Sequence, residues 1–298
     1  MPIVFIMTLL NKNAEYSYQD CWNYALSLKK NTEFSEIKND LIILCQTNSE
    51  EFWLNFSNKT LNFSSYSKIC SNLVKRLKDD YPIPYLINEV FFYGSSFYIE
   101  EGVLIPQKDT EILVEKTKGL IEKFWDSKKK LKILDIGTGC GNIAITLAKI
   151  NPNWNITAID INEKALRVAR INAKKNKLIN VKFRKSNLFD KINSEEIFDV
   201  VVTNPPYISI DEYQHLSSIT KKQPIEALVA EKDGYYFYEE IFRQIQKYLP
   251  KKFLMVMEIG HQQKEKVIKS IIECFSEIEV SVFFDYQGHS RVTAVYRL

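Results

Sequence analysis

Histidine is scarce in this chain: His215, His261 and His289 are the only three in 298 residues, and they show no ligand spacing. That argues against a catalytic metal. The five cysteines, Cys21, Cys45, Cys70, Cys140 and Cys274, are odd in number and contain no CxxC pair. They exclude a disulfide framework and a structural zinc site, and they fit a reducing compartment. Charge of one sign is also missing: 40 Lys and Arg stand against 37 Asp and Glu, a net +3. A polycationic nucleic-acid coat is thereby excluded, although a local basic patch is not. No apolar run approaches the roughly 18 residues of a membrane span. The apolar segment Pro2–Leu10 has no charged stretch before it and no small-residue cleavage site after it. It reads as the first turn or strand of a domain, and the protein as cytoplasmic and unattached to membrane.

What is present is an ordinary globular composition, 45% hydrophobic and 26% charged, long enough for about two domains. From Tyr16 to Asp80 apolar residues recur at helical steps: Trp22, Ala25 and Leu26, then Leu41, Ile42 and Cys45, then Ile69, Leu73 and Leu77. Ser, Asn and Thr clusters separate them as caps and loops would. A small helical domain is expected over 1–80, with its aromatics and cysteines in the core. Pro82 and Pro84 end the helical pattern, and the aromatic runs Glu89–Tyr93 and Ser96–Ile99 flank Gly94. A β-hairpin linker is expected over 81–105.

From 106 to 298 strands and helices alternate. Strands are expected at Leu131–Asp135, Ile156–Asp160, Val181–Arg184, Asp199–Thr203 and Phe253–Glu258, with helices at Asn142–Ile150, Glu163–Lys175 and Tyr236–Tyr248. Such alternation gives a parallel sheet covered by helices on both faces. The runs Glu279–Asp285 and Arg291–Arg297 surround Gly288 closely enough to pair antiparallel.

Two motifs carry chemistry. In Asp135-Ile136-Gly137-Thr138-Gly139-Cys140-Gly141 a strand passes through alternate glycines into a helix. The spacing is neither the GxGxxG of dinucleotide binders nor a phosphate loop. Asp160 ends the next strand, 23 residues after Gly137, where a carboxylate can accept from both ribose hydroxyls. A nucleoside ligand with little emphasis on phosphate follows: S-adenosylmethionine. The second motif, Asn204-Pro205-Pro206-Tyr207, begins where a β-branched strand stops. Proline has no N–H, so this backbone offers carbonyl acceptors. Asn204 adds its side-chain oxygen and Tyr207 a flat ring. The set suits a planar group bearing NH₂, a carboxamide or a base amine, whose nitrogen would be polarised by Asn204 Oδ1 and the Pro205 carbonyl.

Together these motifs resemble the PrmC/HemK family, which methylates a glutamine side-chain amide in peptide-chain release factors. Pro84-Tyr85-Leu86 with Phe92-Tyr93-Gly94, Leu104-Ile105-Pro106 with Thr110-Glu111, Glu258-Ile259-Gly260 with Gln263, and Asp285, Gly288 and Arg291 are also similar to family signatures. The resemblance implies a class I methyltransferase: an α/β, Rossmann-like seven-stranded sheet with a C-terminal antiparallel hairpin, preceded by a small α-helical domain. It implies cofactor contacts at Gly137, Thr138, Gly139, Cys140, Gly141, Asp160, Asn187, Leu188 and Asn204. Asn204 and Pro205 would be catalytic, and Asn204, Pro205, Pro206 and Tyr207 would hold the glutamine of a Gly-Gly-Gln loop. The helical domain and hairpin would help grip the release factor, with the enzyme a monomer and nucleic acid not a partner. Four residues depart from the family pattern: Gln107 and Lys108 replace an Arg-Pro pair, Asn187 an Asp, and Gln223 a Glu. A DNA or RNA base-amine methyltransferase sharing the tetrapeptide is the alternative enzyme. A binding module that has lost turnover is the non-enzymatic one.

Overall fold

The computed structural model describes residues 14–28, 32–57 and 61–298; the segment Pro2–Leu10 lies outside them. The chain divides into two compact units. One comprises residues 1–88 with 218–222, the other residues 89–217 with 223–298.

The first unit is helical: α1 (Tyr18–Leu28), α2 (Phe34–Leu44), α3 (Ser49–Leu54), α4 (Phe63–Asp79) and α5 (Ile83–Ile87). Asn48 and Asn62 cap α3 and α4 by accepting the backbone N–H of Glu51 and Ser65, as short polar side chains do at helix starts. The expected core forms in part. Cys21, Ala25, Leu41, Ile69, Cys70 and Leu73 are buried together with Tyr18 and Phe52, whereas Phe34 and Trp53, expected in the core with the other aromatics, are exposed. Tyr16 stacks on Tyr66 with centroids 4.0 Å apart.

The linker expected over 81–105 is divided between the units. Its start is α5, which closes the helical unit, whereas the hairpin β1 (Glu89–Phe92) and β2 (Ser95–Tyr98) belongs to the second. The reason is burial: Phe92 and Phe97 sit in the core of the sheet unit.

That unit continues with α6 (Thr110–Phe124), β3 (Lys132–Ile136), α7 (Asn142–Ile150), β4 (Asn155–Asp160), α8 (Glu163–Lys175), β5 (Val181–Lys185), β6 (Val200–Thr203) and α9 (Ile210–His215). It ends with α10 (Tyr236–Ile245), β7 (Phe253–Glu258), α11 (Lys264–Cys274), β8 (Glu279–Phe284) and β9 (Ser290–Arg297). The strands form one seven-stranded sheet in the order β5-β4-β3-β6-β7-β9-β8. β9 runs antiparallel to both of its neighbours, and all other pairings are parallel. Alternate residues feed opposite cores. Ile133, Val200, Val202, Leu254 and Val256 pack on one face, Leu134, Val201, Met255 and Met257 on the other, as the two-residue strand period requires. From β3 the chain winds outward through β4 to β5, then crosses back to place β6 on the other side of β3. The carboxyl ends of β3 and β6 therefore meet at the switch point of the sheet, where open α/β folds bind ligands.

Candidate active site

Both motifs lie at that switch point. Ile136 and Thr203 are register partners at the ends of β3 and β6, and Thr203 Oγ1 donates to the Ile136 carbonyl at 2.9 Å. The glycine turn leaves β3 with Gly137, Gly139 and Gly141 all at positive φ, conformations that side-chain-bearing residues rarely adopt. Gly141 also needs its missing side chain, because a Cβ there would lie 2.8 Å from Ile145 Cδ1 and 3.1 Å from Ala169 Cβ. The N–H groups of Gly137 and Thr138 both donate to the Ile159 carbonyl of β4 at 2.9 Å. Gly139 donates to Asp160 Oδ2 at 2.8 Å, and Asn162 to Asp160 Oδ1 at 2.8 Å. Each carboxylate oxygen of Asp160 thus receives one backbone bond and keeps lone pairs for a further donor. Burial pushes this carboxyl up, against the opposing pull of the Asn162, Gly139 and Ile161 N–H groups.

A cavity opens beside the turn. Its wall brings together Gly137, Gly139, Asp160, Asn187, Leu188, Asn204, Pro205 and Pro206. Thr138, Cys140 and Gly141 stand behind the wall. Thr138 Oγ1 donates inward to Asp135 Oδ2 at 2.6 Å, and the Cys140 thiol is buried, which pushes it up to about 12. Tyr207 is likewise absent from the wall. Its hydroxyl donates to Glu258 Oε1 at 3.1 Å. The cavity's only ionisable wall residues are Asp160 and Glu226; among the described residues no lysine or arginine lines it. A wall with two carboxylates and no cation suits a positively charged ligand and disfavours a phosphate. These residues fit S-adenosylmethionine. Asp160 can hold the ribose, the Asn187–Leu188 segment the adenine, and the acidic wall the sulfonium. Among the described residues no cluster could hold a metal ion.

Several further wall residues lie outside the two chemistry-bearing motifs, and of these Leu104 alone belongs to a family signature. Gly102, Val103 and Leu104 close one side, Pro224, Glu226 and Ala227 another. Gln223 Oε1 accepts the Ile105 N–H at 2.9 Å and ties these two segments together. A glutamine supplies that acceptor as a glutamate would, so this departure from the family pattern leaves the bond intact. Gln107 Nε2 donates to the Ile105 carbonyl at 2.8 Å on the same loop. Asn204 itself is anchored: its Nδ2 donates to Thr110 Oγ1 at 3.1 Å, and Thr110 donates to Glu258 Oε2 at 2.7 Å.

A methyltransferase-domain family model matches residues 127–282. The release factor glutamine methyltransferase of Pasteurella multocida is 34% identical over 295 residues, covering 93% of this chain and 98% of the relative. The chain belongs to the release factor glutamine methyltransferase family. The Fusobacterium nucleatum member is 41% identical over 227 residues; the match covers 76% of this chain and spans 63% of that relative's length. Among solved structures, the hMettl16 catalytic domain in complex with a 3′UTR hairpin superimposes with a TM-score of 0.55 at 17% identity. It covers 90% of this chain and 93% of that one, a likeness of class I methyltransferase fold.

Proposed function

We propose that this protein transfers the methyl group of S-adenosyl-L-methionine to the side-chain amide nitrogen of the glutamine in the Gly-Gly-Gln loop of peptide-chain release factors. The carrying observation is a full-length family relationship to enzymes named for that reaction, joined to a cavity in which Asn204 and Pro205 share a wall with Asp160 and the glycine turn. A base-amine substrate would fit the tetrapeptide alone, but the family relationship extends through the helical unit as well. The enzyme acts in the cytoplasm as a single chain. The helical unit helps grip the protein substrate and offers exposed Phe34, Trp53 and Leu54 for it.

When bound, the cofactor supplies an electrophilic methyl on sulfur. Asn204 Oδ1 and the Pro205 carbonyl accept the two hydrogens of the glutamine NH₂. An amide nitrogen is a poor nucleophile because its lone pair is delocalised into the carbonyl. Two acceptors raise its electron density and hold it in line for displacement. As one N–C bond forms, the bond between that methyl and sulfur breaks with its electron pair left on a neutral thioether, and the surplus proton leaves to water, so no buried base is required. Pro206 stiffens the loop at φ near −65°. Release factor incubated with enzyme and cofactor, then mapped by peptide mass spectrometry, is expected to gain one methyl on that glutamine. Methylation confined to nucleic acid would refute the reading.

A further inference from the structure

Glu258 ends β7 beneath the Asn204 loop, and its side chain is buried. Thr110 Oγ1, from the start of α6, donates to Oε2 at 2.7 Å, and Tyr207 donates to Oε1 at 3.1 Å. Tyr238, from α10, donates to the Glu258 main-chain oxygen at 2.8 Å. Arg291, from β9, lies behind Tyr207 with Nη1 3.5 Å from its hydroxyl, and it is shared with Asp109 and Asp285 at 3.3 Å each. His289 Nδ1 is 3.7 Å from Asp285 on the far side.

The direction of these bonds is forced. An ionised carboxylate has no hydrogen to give, and a hydroxyl has one. Thr110 therefore commits its hydrogen to Glu258 and can only accept from Asn204. Asn204 must turn Nδ2 toward Thr110, as it does at 3.1 Å, which leaves Oδ1 as the free polar atom of this wall residue. A protonated Glu258 can donate instead. Thr110 would then accept from Glu258 and donate to Asn204 Oδ1, and the amide would turn over. The cavity would then meet an NH₂ where the reaction needs an acceptor.

We propose that Glu258 is a positioning residue that, through the Thr110 hydroxyl, sets which end of the Asn204 amide faces the substrate, and that its protonation reverses that end. The proposal rests on the amide-transfer reading above. Burial pushes the Glu258 carboxyl up to about 7, while the Thr110 bond, the Arg291 charge and the Tyr207 bond pull it down. The reversal therefore falls near neutrality: the productive polarity holds above about pH 7 and is lost as the pH falls through it.

The decisive measurement needs no substrate. In ¹⁵N-labelled full chain, the Asn204 side-chain NH₂ resonances are identified by their disappearance in Asn204→Asp and followed across neutrality. They are expected to titrate with a midpoint near neutral pH in the wild type and to be flat in Thr110→Val. Wild-type resonances that do not move overturn the proposal, whether or not any variant folds. Kinetically, Thr110→Val is expected to lower kcat for release factor about 10- to 100-fold, part of the loss seen when a positioned polar group is deleted, with cofactor Kd within about twofold. Thr110→Ser, which keeps the hydroxyl, should recover most of that loss, and Glu258→Gln should remove the neutral-pH step in kcat. Wild-type kcat in Thr110→Val also overturns the proposal. A wild-type enzyme that methylates no release factor would refute the substrate reading while leaving the resonance titration to decide the polarity of Asn204.

Discussion

Asn172 Nδ2 donates to the Cys140 carbonyl of the glycine turn at 3.0 Å. The same side chain also pairs with the end of the hairpin. It donates to the Tyr98 carbonyl at 2.9 Å and accepts the Tyr98 N–H at 2.7 Å. One fully buried residue of α8 thus holds together the cofactor turn and the hairpin that leads into the cavity wall. Asn172→Leu, similar in volume, would leave those backbone groups unpaired. Each unpaired buried group costs about 1–3 kcal/mol. A lower Tm and weaker cofactor binding are expected, read by thermal melting and calorimetry. An unchanged Kd would show that the turn does not depend on this clamp.

Asp160→Ala removes the acceptor for Gly139 and the carboxylate placed for the ribose. Charge-assisted bonds of this kind contribute about 1.5–3 kcal/mol, so cofactor Kd is expected to rise at least about tenfold. Because Asp160 does not touch the substrate amide, kcat at saturating cofactor should change much less. A variant with normal cofactor affinity and collapsed kcat would contradict the assigned role.

Gly234 lies against the tetrapeptide. A Cβ at this residue would fall 2.0 Å from the Tyr207 carbonyl oxygen and 2.8 Å from Gln263 Nε2, at a φ of +78°. Gln263 Nε2 holds the Tyr207 carbonyl at 2.9 Å. Gly234→Ala must therefore displace backbone, and it is expected to lower both Tm and kcat, with little effect on cofactor Kd. Steady-state kinetics and calorimetry check it; retention of wild-type kcat and Tm would contradict the packing.

The stability of the fold should carry a pH signature from Asp135. Complete burial pushes its carboxyl up to about 7, against the Thr138 and Ala144 hydrogen bonds. Since the folded value lies above the unfolded one, this contribution to stability is full below about pH 4. It is lost as the pH rises through about 7. Asp135→Asn keeps an acceptor for Thr138 and cannot ionise. Relative to wild type, its stability should therefore be more favourable at alkaline than at acidic pH, by on the order of a few kcal/mol at most, read as a pH-dependent difference in Tm. A Tm difference that does not vary with pH would contradict this.

Those parts of the fold written in contiguous residues were legible before the structure. α7, α8 and β7 match their expected bounds, because a buried parallel strand is a continuous apolar run and an amphipathic helix repeats on one face. Three helices of the second unit carried too little signal: α9 buries no residue at all. α11 buries only Val267 and Ile271, and α6 begins inside a loop whose residues stood out as a motif and not as a helix. The same division holds at the site. Asp160 and the two motifs were found because each sits beside its own strand end. The bonds by which Thr110 and Glu258 support Asn204 were not, although both residues stand in family signatures, because Thr110 lies 94 residues before Asn204 and 148 before Glu258. Only the sheet order brings such distant positions together. The folding of Tyr207 toward Glu258 and of Cys140 into the core was hidden for the same reason: a side chain's direction depends on what packs behind it.

The central claim is amide methylation through Asn204. Its most direct test is mass spectrometry of purified release factor after incubation with cofactor and either wild-type enzyme or Asn204→Ala. One methyl group is expected on the Gly-Gly-Gln glutamine with the wild type. With Asn204→Ala, kcat should fall about 10²–10³-fold as one positioned acceptor is lost, while cofactor binding is largely retained. Undiminished glutamine methylation by Asn204→Ala, or a wild-type enzyme that leaves the glutamine unmodified, would contradict it.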